Sequence, residues 1–157
     1  MKRLFLIDAY ALVFKYYYAF FGRPMRNRHG MNTSILFGFT KFLRDIQKRE
    51  SPDMLGVALD PKGGCFRCEL YPEYKANRPD LSQLPEEDTP FSQLPDIRAA
   101  LDCLGIRHRE TEDCEADDWI AGYVKALSGE MEVVIVSQDS DFFQLIGPRV
   151  RVMRYRG

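Results

Sequence analysis

The stretch VVIVSQD, residues 133–139, decides the fold. Its apolar, β-branched residues Val133 to Val136 run without alternation, and the chain then turns polar and reaches an aspartate. A strand with one wet face would alternate, whereas an unbroken run suits a strand covered on both faces, as in a parallel sheet between helices. The same form occurs in LFLID (4–8) and MLGVALD (54–60), each closing on an aspartate. Helical patterns lie between these runs. Asn32 or Thr33 can cap a helix in which Ile35, Phe39, Phe42, Leu43 and Ile46 share a face, ending near Glu50. Ser92 can cap a second, with Pro95 in its first turn, Ile97, Leu101 and Leu104 on one face, and Gly105 as its stop. A third runs from Ala116 to Leu127, and residues 9–21 read as a fourth, rich in aromatics. Short strands are expected at 106–109 and 150–155. This alternation predicts an α/β sandwich with a mainly parallel sheet of about five strands.

The bulk numbers narrow the function. At 157 residues the chain makes one domain, and with 45% hydrophobic and 29% charged residues it reads as an ordinary globular protein. The N-terminal apolar run is broken by Asp8, too early for a signal peptide, and no stretch approaches the roughly 20 apolar residues of a membrane span. A cytoplasmic protein is expected. Cys65 and Cys68 have C-x-x-C spacing but lack the second pair of ligands a structural zinc needs, so with Cys103 and Cys114 they read as free thiols.

Ligands of open α/β sheets sit beyond the carboxyl ends of the strands. Asp8, Asp60 and Asp139 fall at that edge, and Asp141 follows Asp139 closely. Glu115, Asp117 and Asp118 open a helix whose start faces the same edge, with Glu115 and Asp118 on one face of it. Taken singly, each has a structural reading: a first-turn acid complements the helix dipole, and a strand-terminal aspartate serves a turn. Gathered, they repel, by about 4 kcal/mol for two charges 4 Å apart at an effective dielectric of 20. Hard divalent cations such as Mg²⁺ or Mn²⁺ resolve that conflict with oxygen ligands. Setting these seven aside leaves 16 acidic residues against 22 basic ones, so a near-neutral chain of net charge −1 hides a positive remainder suited to a polyanion. In FRCELYPEYKANR (66–78), Arg67, Lys75 and Arg78 interleave with Tyr71 and Tyr74. Basic side chains neutralise phosphate and aromatics stack on unpaired bases, although a solvated basic surface has the same composition.

Five stretches carry a resemblance: LFLIDAYALVFKYYYAF, GMNTSILFGF, ALDPKGGCFRCELYPEYKANR, CEADDWIAGY and VVIVSQDSDFFQL. In their order and spacing the chain resembles the 5′-nuclease (5′-3′ exonuclease/flap endonuclease) domain of the bacterial DNA polymerase I type. The resemblance implies a PIN-like core over 1–157 with an arch-like loop at about 62–90. It implies a metal cluster of Asp8, Asp60, Glu115, Asp117, Asp118, Asp139 and Asp141 holding two ions, Mg²⁺ or Mn²⁺. It also implies Lys75 and Arg78 as the catalytic basic pair at the scissile phosphate. Lys15, at a position where the family often has arginine, joins Arg67, Tyr71 and Tyr74 as nucleic-acid-binding residues. The implied partners are DNA with a 5′ end or flap, cut in replication and repair, and a fused or separate DNA polymerase; no membrane is involved and the chain is expected to be a monomer. The family's C-terminal helix–hairpin–helix region is absent from residues 1–157, from which weak duplex binding and a weakly held second ion are expected. Two competing readings remain: a metal- and single-strand-binding module without cleavage, and a PIN-type ribonuclease, which lacks the arch. A phosphatase of the Asp-x-Asp kind is excluded by Asp8-Ala9-Tyr10.

Overall fold

The apolar runs become the middle of a five-stranded sheet in the computed structural model, which describes residues 1–61, 67, 70, 71, 73 and 89–155. The strands are β1 (Arg3–Asp8), β2 (Met54–Ala58), β3 (Arg107–Arg109), β4 (Glu132–Val136) and β5 (Val150–Met153). Every pairing is parallel and the order is β3-β2-β1-β4-β5, so β1 is central. The expected arch falls almost wholly outside the described residues, and with it Tyr74, Lys75, Arg78 and the Cys65–Cys68 pair.

Among the described residues, four helices cover the sheet: α1 (Ala9–Ala19), α2 (Ser34–Glu50), α3 (Leu94–Cys103) and α4 (Ala116–Leu127). Side chains alternate across a strand, so β1 serves both faces at once. Phe5 and Ile7 pack with Leu12 of α1, Phe39 and Leu43 of α2, and Ile97 and Leu101 of α3. Leu4 and Leu6 pack with Ile120 and Val124 of α4 and with Phe142 on the other side. The result is a three-layer sandwich in which the central strand has no wet face. A short 3₁₀ helix, Ser140–Leu145, follows β4.

Local details depart from the expected caps. Ser92 does not cap α3; its hydroxyl donates to the Thr89 carbonyl at 2.9 Å, and Gln93 holds the cap position. The Gln93 side chain is committed elsewhere, its Oε1 accepting from the Leu36 N–H in the first turn of α2 at 2.9 Å. Leu104, expected on the buried face of α3, is exposed because the helix ends at Cys103 and Gly105 turns the chain at φ 66°. At the start of α2 the useful side chain is that of Asn32, whose Oδ1 accepts from the Ser34 N–H at 3.0 Å.

Candidate metal centre

The carboxyl edge of the sheet is where the acids meet. Asp8 ends β1 and caps α1, its Oδ1 accepting from the Ala11 N–H at 3.3 Å. Its Oδ2 accepts from the Ser137 hydroxyl at 2.7 Å, across the β1–β4 pairing that places Ile7 beside Val136. Loss of solvent pushes the Asp8 carboxyl up to about 6; the bonds from Ser137 and Ala11 oppose that rise, and the charges of Asp60 and Asp139 add to it. Asp60, just past β2, accepts from the Ala116 N–H at 2.7 Å and so joins the end of one strand to the start of α4. Asp139 caps the 3₁₀ helix by accepting from the Asp141 N–H at 2.9 Å. Asp8, Asp60, Asp117 and Asp139 line one cleft of about 220 Å³, with Tyr10, Phe14 and Phe142 as its apolar wall.

Glu115, Asp117 and Asp118 form an adjoining group at the start of α4. Glu115 is 5% exposed and caps the helix in a reciprocal box with Asp118. The Asp118 carboxylate accepts from the Glu115 N–H at 3.3 Å, and Asp117 accepts from the Asp118 N–H at 2.8 Å. One oxygen from each of the three lies within 4.8 Å of the others. Desolvation raises the Asp117 carboxyl above its usual range, and the charges of Asp118 and Glu115 raise it further. Asp117 belongs to both this group and the cleft. Asp141 reaches the set only through its backbone bond to Asp139, and its side chain is exposed. Glu112 and Asp113 are also exposed.

Arg67 takes an unexpected place. Its Nη1 donates to Glu115 Oε2 at 2.9 Å and to Asp118 Oδ2 at 2.7 Å, and its Nη2 donates to Asp118 Oδ1 at 2.5 Å. The guanidinium therefore serves as counter-charge to the acids, and its own pKa is raised chiefly by the Asp118 bond. Crowded carboxylates recruit a cation, and this one offers a planar fork that matches them. Lys15 lies over the Tyr155 ring at 4.5 Å, its pKa lowered by burial. Tyr71 is exposed, its hydroxyl donating to Glu73 at 2.8 Å. Arg23, Arg26, Arg28 and His29 lie in an exposed turn, where Arg26 donates to the Gly30 carbonyl at 2.7 Å. Trp119, on α4, packs against the core on that side, with its Nε1 donating to Thr111 and the Arg109 guanidinium 4.7 Å from its ring centroid.

Sequence reasoning missed Ser137, Tyr10 and Phe14. The last two were within reach: a helix that begins beside Asp8 turns residues four apart to one side, and Tyr10 and Phe14 line the cleft together. The donor set here is all carboxylate oxygen, partly desolvated, with a guanidinium already drawn to it. That chemistry fits hard divalent cations rather than soft metals.

The fold and this edge define a PIN-like α/β domain with a carboxylate-lined cleft beyond its strand ends. The chain belongs to the 5′-3′ exonuclease N-terminal resolvase-like domain family, whose model matches residues 3–157. It is 36% identical to DNA polymerase I of Treponema pallidum, over 98% of this chain and 15% of the relative. It is 38% identical to DNA polymerase I of Deinococcus radiodurans, over 96% of this chain and 15% of that protein. The chain thus spans about 15% of the length of these curated relatives. Among solved structures, the 5′-exonuclease of bacteriophage T5 with divalent zinc ions bound superposes with a TM-score of 0.72 at 21% identity, covering 98% of this chain and 55% of that one. A flap endonuclease of bacteriophage T5, in a pseudo-enzyme–product complex with DNA and metal ions, superposes with a TM-score of 0.69 at 20% identity, with the same coverage.

Proposed function

We propose that this chain is a divalent-metal-dependent 5′-nuclease core that hydrolyses phosphodiester bonds in 5′-ended or branched DNA, during replication and repair in the cytoplasm and together with a fused or separate DNA polymerase. The observation that carries the reading is the single cleft lined by Asp8, Asp60, Asp117 and Asp139, adjoined by Glu115 and Asp118. These residues, with Asp141, would hold one or two Mg²⁺ or Mn²⁺ ions. When bound, such ions supply Lewis acidity at a phosphate and lower the pKa of a water molecule. The carboxylates fix position and need not take a proton. Asp8 and Asp60 sit on backbone N–H donors that hold them in place, while the aromatic wall of Tyr10 and Phe14 limits water on one side. Lys75 and Arg78 are assigned to the scissile phosphate, and Lys15, Arg67, Tyr71 and Tyr74 to the strand. Arg67 would have to exchange its carboxylate partners for phosphate as the site fills.

Cleavage of a 5′-labelled flap DNA tests this reading, with Mn²⁺ or Mg²⁺, an EDTA control and the Asp117→Asn variant. Metal-dependent products that fall at least about a hundredfold in the variant are expected, since a carboxylate between both groups is lost. Products that persist in EDTA, or at the parent rate in Asp117→Asn, would refute the assignment. A folded chain that takes up Mn²⁺ and yields no products would favour the non-cleaving module.

A further inference from the structure

Ser137 is the one fully buried hydroxyl, among the described residues, that touches two of the acid-bearing segments. It stands directly after β4, at 0% exposure. The last register pair of the β1–β4 ladder is Ile7 with Val136. The Ser137 O–H donates to Asp8 Oδ2 at 2.7 Å, and its oxygen accepts from the Asp139 N–H at 3.1 Å. Asp139 in turn holds Asp141 through that residue's N–H. One side chain therefore joins Asp8, at the end of β1, to Asp139, just past β4, and through Asp139 to Asp141 in the 3₁₀ helix.

We infer that Ser137 is a positioning residue for divalent-ion binding, its hydroxyl fixing the Asp8 carboxylate relative to Asp139. This rests on the metal reading of the cleft given above. A carboxylate oxygen has room for more than one partner. With Ala11 N–H on one oxygen and Ser137 on the other, Asp8 is fixed in rotation while each oxygen keeps capacity for a cation. Groups that orient metal-binding side chains in this way typically contribute about 10- to 100-fold in metal affinity. A hydroxyl is also the smallest group that can donate to one acid and accept from the backbone of another. Alanine would leave the Asp139 N–H without this acceptor and Asp8 free to turn.

The test is Mn²⁺ titration by calorimetry on the full chain, its Ser137→Ala and Ser137→Thr variants, and thermal unfolding of each in EDTA. Ser137→Ala is expected to weaken Mn²⁺ binding at least about tenfold while still folded at the titration temperature. Ser137→Thr, which keeps the hydroxyl, is expected to remain within about threefold of the parent, well short of that loss. If threonine is too bulky for the site, Ser137→Cys serves in its place, with an intermediate affinity expected from its weaker donor. Parent-like affinity in Ser137→Ala would overturn the inference and leave the metal reading standing. A folded Ser137→Thr that binds as poorly as Ser137→Ala would overturn it too, because the hydroxyl would then not be the determinant. A parent chain that takes up no Mn²⁺ would overturn both readings.

Discussion

At the scale of the residue, Asp8 is where folding and chemistry oppose each other. It is partly buried, faces Asp60 and Asp139, and is held up near 6 despite two hydrogen bonds that favour its charged form. The folded chain therefore binds this proton more tightly than the unfolded chain, whose aspartate titrates near 3.9. The sign follows: between pH 4 and 6 the folded state carries more protons, so stability falls as pH rises through that window. Asp8→Asn removes the penalty. In EDTA at pH 7 the variant should be more stable than the parent by about 1–3 kcal/mol, with little difference at pH 4. Urea midpoints at the two pH values check this; a variant destabilised equally at both would contradict it. Asp8 was legible in the sequence because it ends an apolar run. Its partner Ser137 was not, because a serine after a strand looks like any turn residue until the neighbouring strand is placed.

At the scale of the element, helix packing sets where α1 carries its Asp8 cap. α1 and α2 approach closely at Gly38, where an added Cβ would lie 2.2 Å from Cδ1 and 2.4 Å from Cγ of Tyr16. In an exposed helix, glycine to alanine would gain about 1 kcal/mol of propensity. Here the clash reaches the base of the ring rather than its tip, so overpacking of about 1–3 kcal/mol should win. Gly38→Ala is expected to be destabilised by roughly 1–2 kcal/mol in denaturant unfolding; a stabilised variant would show that Tyr16 yields without cost. The helices themselves were readable, because their apolar faces repeat at helical spacing and α4 starts on a capping box. The caps of α2 and α3 were less so. Gln93 holds the cap position of α3 while its side chain bonds to α2, a tertiary choice that no local pattern encodes.

At the scale of the whole molecule, β1 at the centre of a parallel sheet has to bury both faces, and the unbroken apolar runs record that requirement directly. Parallel strands then bring their carboxyl ends to one edge, which is why the sequence alone groups Asp8, Asp60 and Asp139. The division of labour within the acids was not readable. Four of the seven line the cleft, Glu115 and Asp118 stand beside it with Arg67 as counter-charge, and Asp141 is tied in by backbone alone. Those differences arise from distances of a few ångströms between separate elements. The most direct test is anomalous diffraction from crystals of the chain grown with Mn²⁺. A peak is expected in the cleft bounded by Asp8, Asp60, Asp117 and Asp139, with the Arg67 guanidinium displaced if Glu115 and Asp118 also take an ion. Full occupancy of Mn²⁺ elsewhere, with that cleft empty and Arg67 still on its carboxylates, would contradict it.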